Sequence, residues 1–557
     1  MRRESFLRFI LSGFLMFGLM FGLMFCLTAS VGCKSGVLHM QGKNAAEEAV
    51  KGEKTDKKDE KKDKKPFFVG DSAVPVGLDL LEINAVGLAT NLPGTGSDPP
   101  ESNLRTMLLK EMSSQNVEKP GQLLADPSTS LVIATGHLPP GVQKGDRFDI
   151  EITLPTDSET TSLRGGYLLP ARLKEVKMLD RLREGNKVGT CAGPILVEPL
   201  TGDDRDKQSQ RRGKVLGGGV ATTSRFIGLR LLSESDKPDP YMTMKMEGAI
   251  NRRFHVTRPS GLKENVVKAK TDKFMELTPY PKYKNNLGRF IEVVRCIPIN
   301  ETEDKRINRL ATLQARLLEP TSARRAALEL EAIGQPAIET LKTGLESQEP
   351  LVRYHAAQAL AYLDVSEAAQ ALGETALKDP DNRRCALLAL SALDDLYAYE
   401  ELRKLMDAPT AETRYGAFRA IKQMRPDDPL VKGEELGEGT FNLCVVGTTG
   451  KPMLHITRSQ RAEIVLFGKN QQFKHPITIE GANGLVIRSL SPTQVLVSRF
   501  KANQQDQQRT VAPGIEHVIR ALSEVGATYP DVIEILQSAI ARDALDTTLK
   551  VDAVPKS

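Results

Sequence analysis

The stretch Arg353-Tyr354-His355-Ala356-Ala357-Gln358-Ala359-Leu360 decides how this 557-residue chain is put together. Its arginine, the alanine three residues later and the Ala-Leu pair that follows recur at Arg383, Ala386 and Ala389-Leu390. They recur again at Arg414, Ala417 and Ala420-Ile421, with a weaker unit at Arg324, Ala327 and Leu330-Glu331. The arginines lie 29, 30 and 31 residues apart. A period of this length signals stacked helical units, because one helix pair buries its apolar face only against the next. The alanines let helix axes approach to about 8–10 Å. The pattern runs from about Asn308 to Met424, and we assign residues 305–427 to an all-α solenoid.

Four such units at about 10 Å each place the ends of the array roughly 30–40 Å apart. A tolerated insertion returns to the loop it left. Asn300–Arg306 and Arg425–Glu438, both polar, are therefore predicted to be extended, loosely packed spacers. His355 and Cys385 fall at inner positions of different repeats, where a core histidine and a buried thiol are the plain expectation. The repeated arginines either pair with acidic neighbours in a ladder or face an acidic partner; the sequence leaves both open.

On the N-terminal side, from Pro66 to about Asn300, short apolar runs alternate with Gly and Pro. Leu131–Ala134 and Phe148–Ile152 read as strands, the second with strict alternation, separated by the turn chemistry of Pro139-Pro140-Gly141 and Lys144-Gly145-Asp146. Asn103–Met112 reads as a short helix with Leu104, Met107, Leu108 and Met112 on one face. Gly94 and Gly96 suit a tight loop, and Gly165-Gly166 suits a close backbone approach. Neither Gly94-Thr95-Gly96 nor Gly217-Gly218-Gly219 continues into Gly-Lys-Ser/Thr, so no phosphate loop is read here.

On the C-terminal side the strand pattern returns at Phe441–Val446, Glu463–Phe467 and Leu485–Arg488. Ile515, Val518, Ile519, Leu522 and Val525 then share one helical face, and Gly526 stops that helix. Thr528 and Pro530 start the next, which buries Val532, Ile533, Leu536 and Ile540. Leu549 and Val551 alternate in a last strand. The fold class is α+β: a β-rich, discontinuous body ending in helix-turn-helix-strand, interrupted by the solenoid. Its parts are assigned to residues 67–300 and 437–557.

The flanks carry a family resemblance. Ala85-Val86-Gly87-Leu88 with Leu92-Pro93-Gly94-Thr95-Gly96-Ser97-Asp98 resembles the opening of the flagellar basal-body P-ring protein family. So do Thr135–Pro140 with Gly145–Asp149, and, most specifically, Ser162-Leu163-Arg164-Gly165-Gly166-Tyr167-Leu168-Leu169. Asp272–Pro281 followed by Arg289-Phe290-Ile291-Glu292 is similar to the family's later strand pair. Val518–Leu522, Gly526-Ala527-Thr528 and Asp531–Gln537 are similar to its C-terminal segment. The repeats resemble a short HEAT-like array, a scaffold that carries no chemistry of its own. The P-ring resemblance implies a non-catalytic subunit of a homo-oligomeric ring. That ring would lie around the flagellar rod, near the peptidoglycan and the L-ring proteins, in the periplasm.

The N-terminus reads as an export signal over residues 1–32, with Arg2, Arg3 and Arg8 before an apolar run from Phe9 to Leu27. That run is long enough for a membrane anchor to stand as the alternative. Ser30-Val31-Gly32-Cys33 resembles a lipobox, which implies lipidation of Cys33. Lys34 after the cysteine implies the outer membrane as destination. Residues 33–66 are rich in Lys, Glu and Asp and are read as a disordered tether.

The chain has no Trp, 5% aromatics and a net charge of +5, which supports neither base stacking nor a nucleic-acid partner. Cys191, Cys296, Cys385 and Cys444 form no CxxC pair and stand at no metal-ligand spacing, and their disulfide state is left open. Asp203-Asp204 and Asp427-Asp428 sit among turn residues. No constellation supports catalysis, a cofactor, a metal or a small-molecule substrate. The alternative function is a lipid-anchored envelope adaptor that uses the repeats to hold a partner protein.

Overall fold

The computed structural model describes residues 67–179, 181–197, 208–232, 240–437, 439–501 and 505–555. Cys33, the leader, the tether and Asp203-Asp204 lie outside the described residues. The architecture is α+β, with a HEAT-like helical region following a β-rich N-terminal body.

That body begins with a closed barrel. Strands Leu81–Thr90, Ser130–Leu138 and Arg147–Thr153 pair in turn, and Arg147–Thr153 then pairs with Arg212–Ala221. Arg212–Ala221 pairs with Arg181–Pro194, that strand with Tyr167–Leu179, and Tyr167–Leu179 returns to Leu81–Thr90. Every pairing is antiparallel, and closure removes the free edges an open sheet would leave. Phe148, Ile150 and Ile152 alternate inward with Ile83, Val132, Ala134, Leu168, Leu173 and Val215. The Phe148 ring fits because two strands carry glycine beside it. A Cβ on Gly136 or Gly219 would lie 2.7 or 2.5 Å from its Cε2. Helix Asn103–Ser114, capped by the Ser102 hydroxyl on the Arg105 N–H, lays Leu108 and Met112 against Leu88 and Leu131 outside the barrel.

A second, four-stranded antiparallel sheet joins Ala73–Val76, Ile227–Leu231, Phe274–Leu277 and Val267–Ala269. Helices Pro240–Arg253 and Leu287–Arg295 share its core. The expected strand pair at Asp272–Pro281 and Arg289–Glu292 is half right. The first gives strand Phe274–Leu277, but Arg289–Glu292 lies inside helix Leu287–Arg295. The Asn286 side chain caps that helix on the Arg289 N–H, and Phe290, Val293 and Val294 bury one helical face.

Eight helices between Glu303 and Met424 form four pairs. The second members, Pro320–Ile333, Pro350–Tyr362, Arg383–Leu393 and Ala411–Met424, stack on one another in sequence. Their turns repeat too: Gly334, Asp364 and Asp394, 30 residues apart, all hold positive φ just past a helix end.

After the array, a mixed sheet of order Glu434–Leu436, Phe441–Val446, Glu463–Phe467, Met453–Ile456, Thr548–Val551 is buried on both faces. Val465 and Phe467 face the solenoid, while Ile464 and Leu466 face helices Ile515–Glu524 and Tyr529–Ala541. Thr528 and Asp531 form a capping box at the start of the last helix. An antiparallel meander from Thr478 to Val511 completes this layer.

The spacers meet expectation only in part: most of their residues are exposed, but each is ordered and anchored. In Asn300–Arg306 the helix already begins at Glu303, and Glu301 is gripped by Arg309 at 2.6 and 2.8 Å with both side chains under a tenth exposed. In Arg425–Glu438, Val431 is fully buried, Leu430 packs beside it, and Glu434–Leu436 is a strand. The reason is geometric. The array does not leave and return at one loop: its first helices rest on the small sheet and its last on the mixed sheet. Each connection is therefore short and pinned at one point, by Glu301–Arg309 and by Val431, while most of its residues stay exposed.

Candidate assembly surfaces

The solenoid is joined to its neighbours by two buried polar hubs. At the first, helix Leu287–Arg295 carries Arg289 into the array, where its guanidinium meets the fully buried Glu331 carboxylate (Nε to Oε2, 3.1 Å) and the Gln358 amide. The Tyr283 hydroxyl donates to the same carboxylate at 2.6 Å, and its ring stacks on Tyr362 at 4.4 Å between centroids. Burial opposes the Arg289 charge, but Glu331 more than offsets this and holds the arginine above its ordinary range. Burial, helped by Glu331, likewise pushes the Tyr283 hydroxyl well up.

At the second hub, Glu463 occupies the solenoid-facing register of an otherwise apolar strand and is 1% exposed. It accepts from Lys422 at 2.8 Å and from Tyr415 at 3.0 Å, with Arg419 at 3.4 Å, all on helix Ala411–Met424. Tyr415 also stacks on His455 at 3.7 Å. The His455 Nε2 accepts the Ala553 N–H at 3.0 Å, so the C-terminal residues are tucked beneath the last solenoid helix. Burial, only partly opposed by Glu463, drives His455 down to about 4.

A third contact closes the circuit between the C-terminal layer and the barrel. Asp149 accepts from the Gly217 N–H at 2.8 Å with one oxygen and from the Gln460 N–H at 2.5 Å with the other. Arg164 donates to Glu534 at 2.8 Å, and Gly165, at φ +74°, lies against the Asn483 side chain. The two Gly-rich stretches thus sit at this seam.

The repeated arginines neither form an acidic ladder nor face outward, except the first. Arg353 donates to the Ser347 and Gln348 carbonyls, Arg383 to the Ala376 carbonyl at 2.8 Å, and Arg414 to the Met406 carbonyl at 3.0 Å. Each satisfies carbonyls at the C-terminal end of the preceding helix, where a cation also meets the negative end of the dipole. Arg324 instead reaches Glu292 at 2.6 Å.

His355 is buried and held down to about 4 by burial and by Arg289 and Arg324. Cys191, Cys296, Cys385 and Cys444 are free thiols; burial lifts Cys191 and Cys444 to about 12 and Cys296 to about 11. Asp428 accepts the Leu430 N–H within its turn, and Asp427 pairs with Lys432 at the surface. Among the described residues no group of three or more His, Cys, Asp or Glu side chains is placed to hold a metal.

One groove stands out on the array. It has a volume of about 460 Å³ and lies between the 280–286 loop and the C-terminal ends of three stacked helices, with Tyr280, Asn285, Tyr362, Ser391 and Gln423 among its walls. Sequence reasoning missed Glu331 and Glu463, the two acids that organise the junctions. A lone carboxylate in the strand Glu463-Ile464-Val465-Leu466-Phe467 was the available signal.

The barrel and the small sheet together form the segment that comparison with known proteins recognises. Residues 73–308 match the family model of the flagellar P-ring protein. Residues 310–391 match HEAT repeats, so the P-ring-like segment ends within the first solenoid helix. Similar curated proteins include the flagellar P-ring protein of Helicobacter acinonychis (strain Sheeba), 23% identical over 245 residues that cover 43% of this chain and 64% of the relative. The flagellar P-ring protein of Nitrosospira multiformis is 26% identical over 36% of this chain and 54% of the relative. That of Sodalis glossinidius is 28% identical over 30% of this chain and 46% of the relative. The chain thus spans less than two thirds of the length of these P-ring relatives.

Proposed function

We propose that this protein is a structural, non-catalytic subunit of a P-ring-like periplasmic ring that assembles around the flagellar rod. The observation that carries the reading is the P-ring match over residues 73–308, which covers the closed barrel and the sheet beside it as one continuous block. Ring closure calls for a head-to-tail interface between rigid copies. The three polar junctions supply that rigidity. Partners under this reading are further copies of the chain, rod and L-ring proteins, and peptidoglycan. Lipidation of Cys33, with an outer-membrane tether, belongs to the same proposal; a Cys33→Ser chain should lose incorporation of a labelled fatty acid. The deciding experiment deletes the gene and images basal bodies. Missing rings and lost swimming support the reading, whereas intact rings and normal motility overturn it.

A second reading, an envelope adaptor, is favoured by one observation: the groove of about 460 Å³ lies on the HEAT-like array, beyond the P-ring-like segment except for its 280–286 wall. Ala392→Trp would obstruct that groove. Under the adaptor reading it removes function while rings still form.

A further inference from the structure

Charge is unevenly placed in this protein. Residues 240–284 carry ten Lys and Arg against four Asp and Glu, a net +6, whereas the whole chain carries only +5. Arg258, Lys270 and Lys282 are paired with Glu264, Glu276 and Asp364, while two others stand where helix Pro240–Arg253 meets strand Val267–Ala269. The Asn251 side chain accepts from the Val266 and Val267 N–H groups and donates to the Val267 carbonyl, pinning the helix end to the strand. Arg252 and Lys268 flank that clasp. Among the described residues neither meets a carboxylate.

Between the two sides of the clasp the chain runs out and back as a hairpin, His255–Thr257 with Lys263–Asn265, which forms a two-stranded sheet of its own. An isolated hairpin is marginal in water, and this one has nine consecutive exposed residues from Thr257 to Asn265. Its tip is tightly made: Arg258 donates its N–H to the Leu262 carbonyl at 2.9 Å, Gly261 donates to the Arg258 carbonyl at 2.8 Å, and Gly261 holds φ +79°. At that tip Leu262 is 64% exposed, between Arg258 and Lys263.

Lysine at a free strand edge has a simple purpose, to deter edge-to-edge pairing, and Lys268 serves it. That purpose does not account for a leucine held outward at the end of a projecting arm. Arg258 is held by Glu264 at 2.9 Å, which leaves Lys263 as the cation beside Leu262 without a carboxylate among the described residues. An apolar tip next to a lysine, above a base carrying Arg252 and Lys268, is the arrangement that engages an anionic bilayer surface. The cations draw on the negative surface potential and the side chain enters the headgroup boundary. We propose that hairpin His255–Asn265 is a membrane-contacting finger that seats this part of the protein on an anionic lipid leaflet. The inference does not depend on ring assembly.

The chain contains no Trp, so Leu262→Trp in the full chain introduces a sole indole at the contact point. With vesicles of phosphatidylcholine containing phosphatidylglycerol, its emission should shift to the blue and be quenched by brominated acyl chains. Pure phosphatidylcholine vesicles should leave it unchanged. Adding Arg258→Gln or Lys263→Gln should weaken the shift about fivefold each, and added salt should reverse it. An indole that stays water-exposed on the anionic vesicles overturns the proposal, even if the chain sediments with them through its N-terminal segment. So does a shift that ignores both substitutions. If the shift appears instead with peptidoglycan sacculi and not with vesicles, the finger reads a cell-wall polymer and the lipid assignment falls.

Discussion

Glu463 sits where a strand residue normally contributes only apolar surface, and removing its charge isolates two cations. Lys422 and Arg419 would then be less than a fifth exposed with no carboxylate to meet. Loss of one partner of a buried pair costs about 3–5 kcal/mol. Glu463→Gln should therefore lower the unfolding free energy by an amount of that order in denaturant titrations. Combining it with Lys422→Met should recover a substantial part of the loss. His455 offers a pH handle at the same junction. Its folded value, about 4, lies below the unfolded one, so the unfolded chain takes up the proton first. The stability contributed by the neutral ring is therefore fully present above about pH 6.5 and is lost progressively as the pH falls toward 4. His355 acts in the same direction. Unfolding midpoints between pH 7 and 4 should fall less steeply in His455→Asn, whose amide oxygen can still accept the Ala553 N–H.

Among the elements, the solenoid helices show most clearly what the sequence discloses. The 30-residue rhythm exposed the array because Ala and Leu recur wherever helices stack, and Arg recurs because each preceding helix ends in unsatisfied carbonyls. What the rhythm could not reveal was the direction of those arginines, since a guanidinium that caps backbone and one that meets an acidic partner occupy the same place in a repeat. Arg383→Ala should cost about 1–2 kcal/mol, and Arg383→Lys should recover only part of that, since a point charge cannot reproduce the fork. Thermal unfolding measures both. The sequence of helix Leu287–Arg295 is ambiguous for a comparable reason. Phe290-Ile291-Glu292-Val293-Val294 is a short apolar run whose periodicity fits either element, and the Asn286 cap tips it toward helix. Strand Arg147–Thr153 was plain because only one of its faces is buried, while Glu463–Phe467, buried on both, hid its functional acid among hydrophobic neighbours.

For the whole molecule, the array behaves as core and not as an appendage. A single apolar cluster runs from Val69 and Phe290, on helices beside the small sheet, through Ala356, Leu390 and Phe418 to Val465 and Phe467. Deleting residues 303–424 would uncover Cys444, Val446, Met453, Val465 and Phe467 together, a face far too apolar for water. The shortened protein should be recovered as aggregate and not as a compact P-ring-like body, a result size-exclusion chromatography of the soluble fraction would reveal. The sequence showed that a helical array interrupts a β-rich body. It did not show that the two ends of the array stand on different layers, because that depends on which faces meet, and periodicity is silent about partners.

The seam made by Asp149, Gly217 and Gln460 has a mechanical consequence. Barrel and C-terminal layer are joined twice, once directly there and once the long way round through the small sheet and the solenoid. A pull applied between them divides over two parallel paths, as in a braced frame, so neither path carries the full load. Under a twisting load, such a frame would turn as one piece where a chain of hinged domains would unravel link by link.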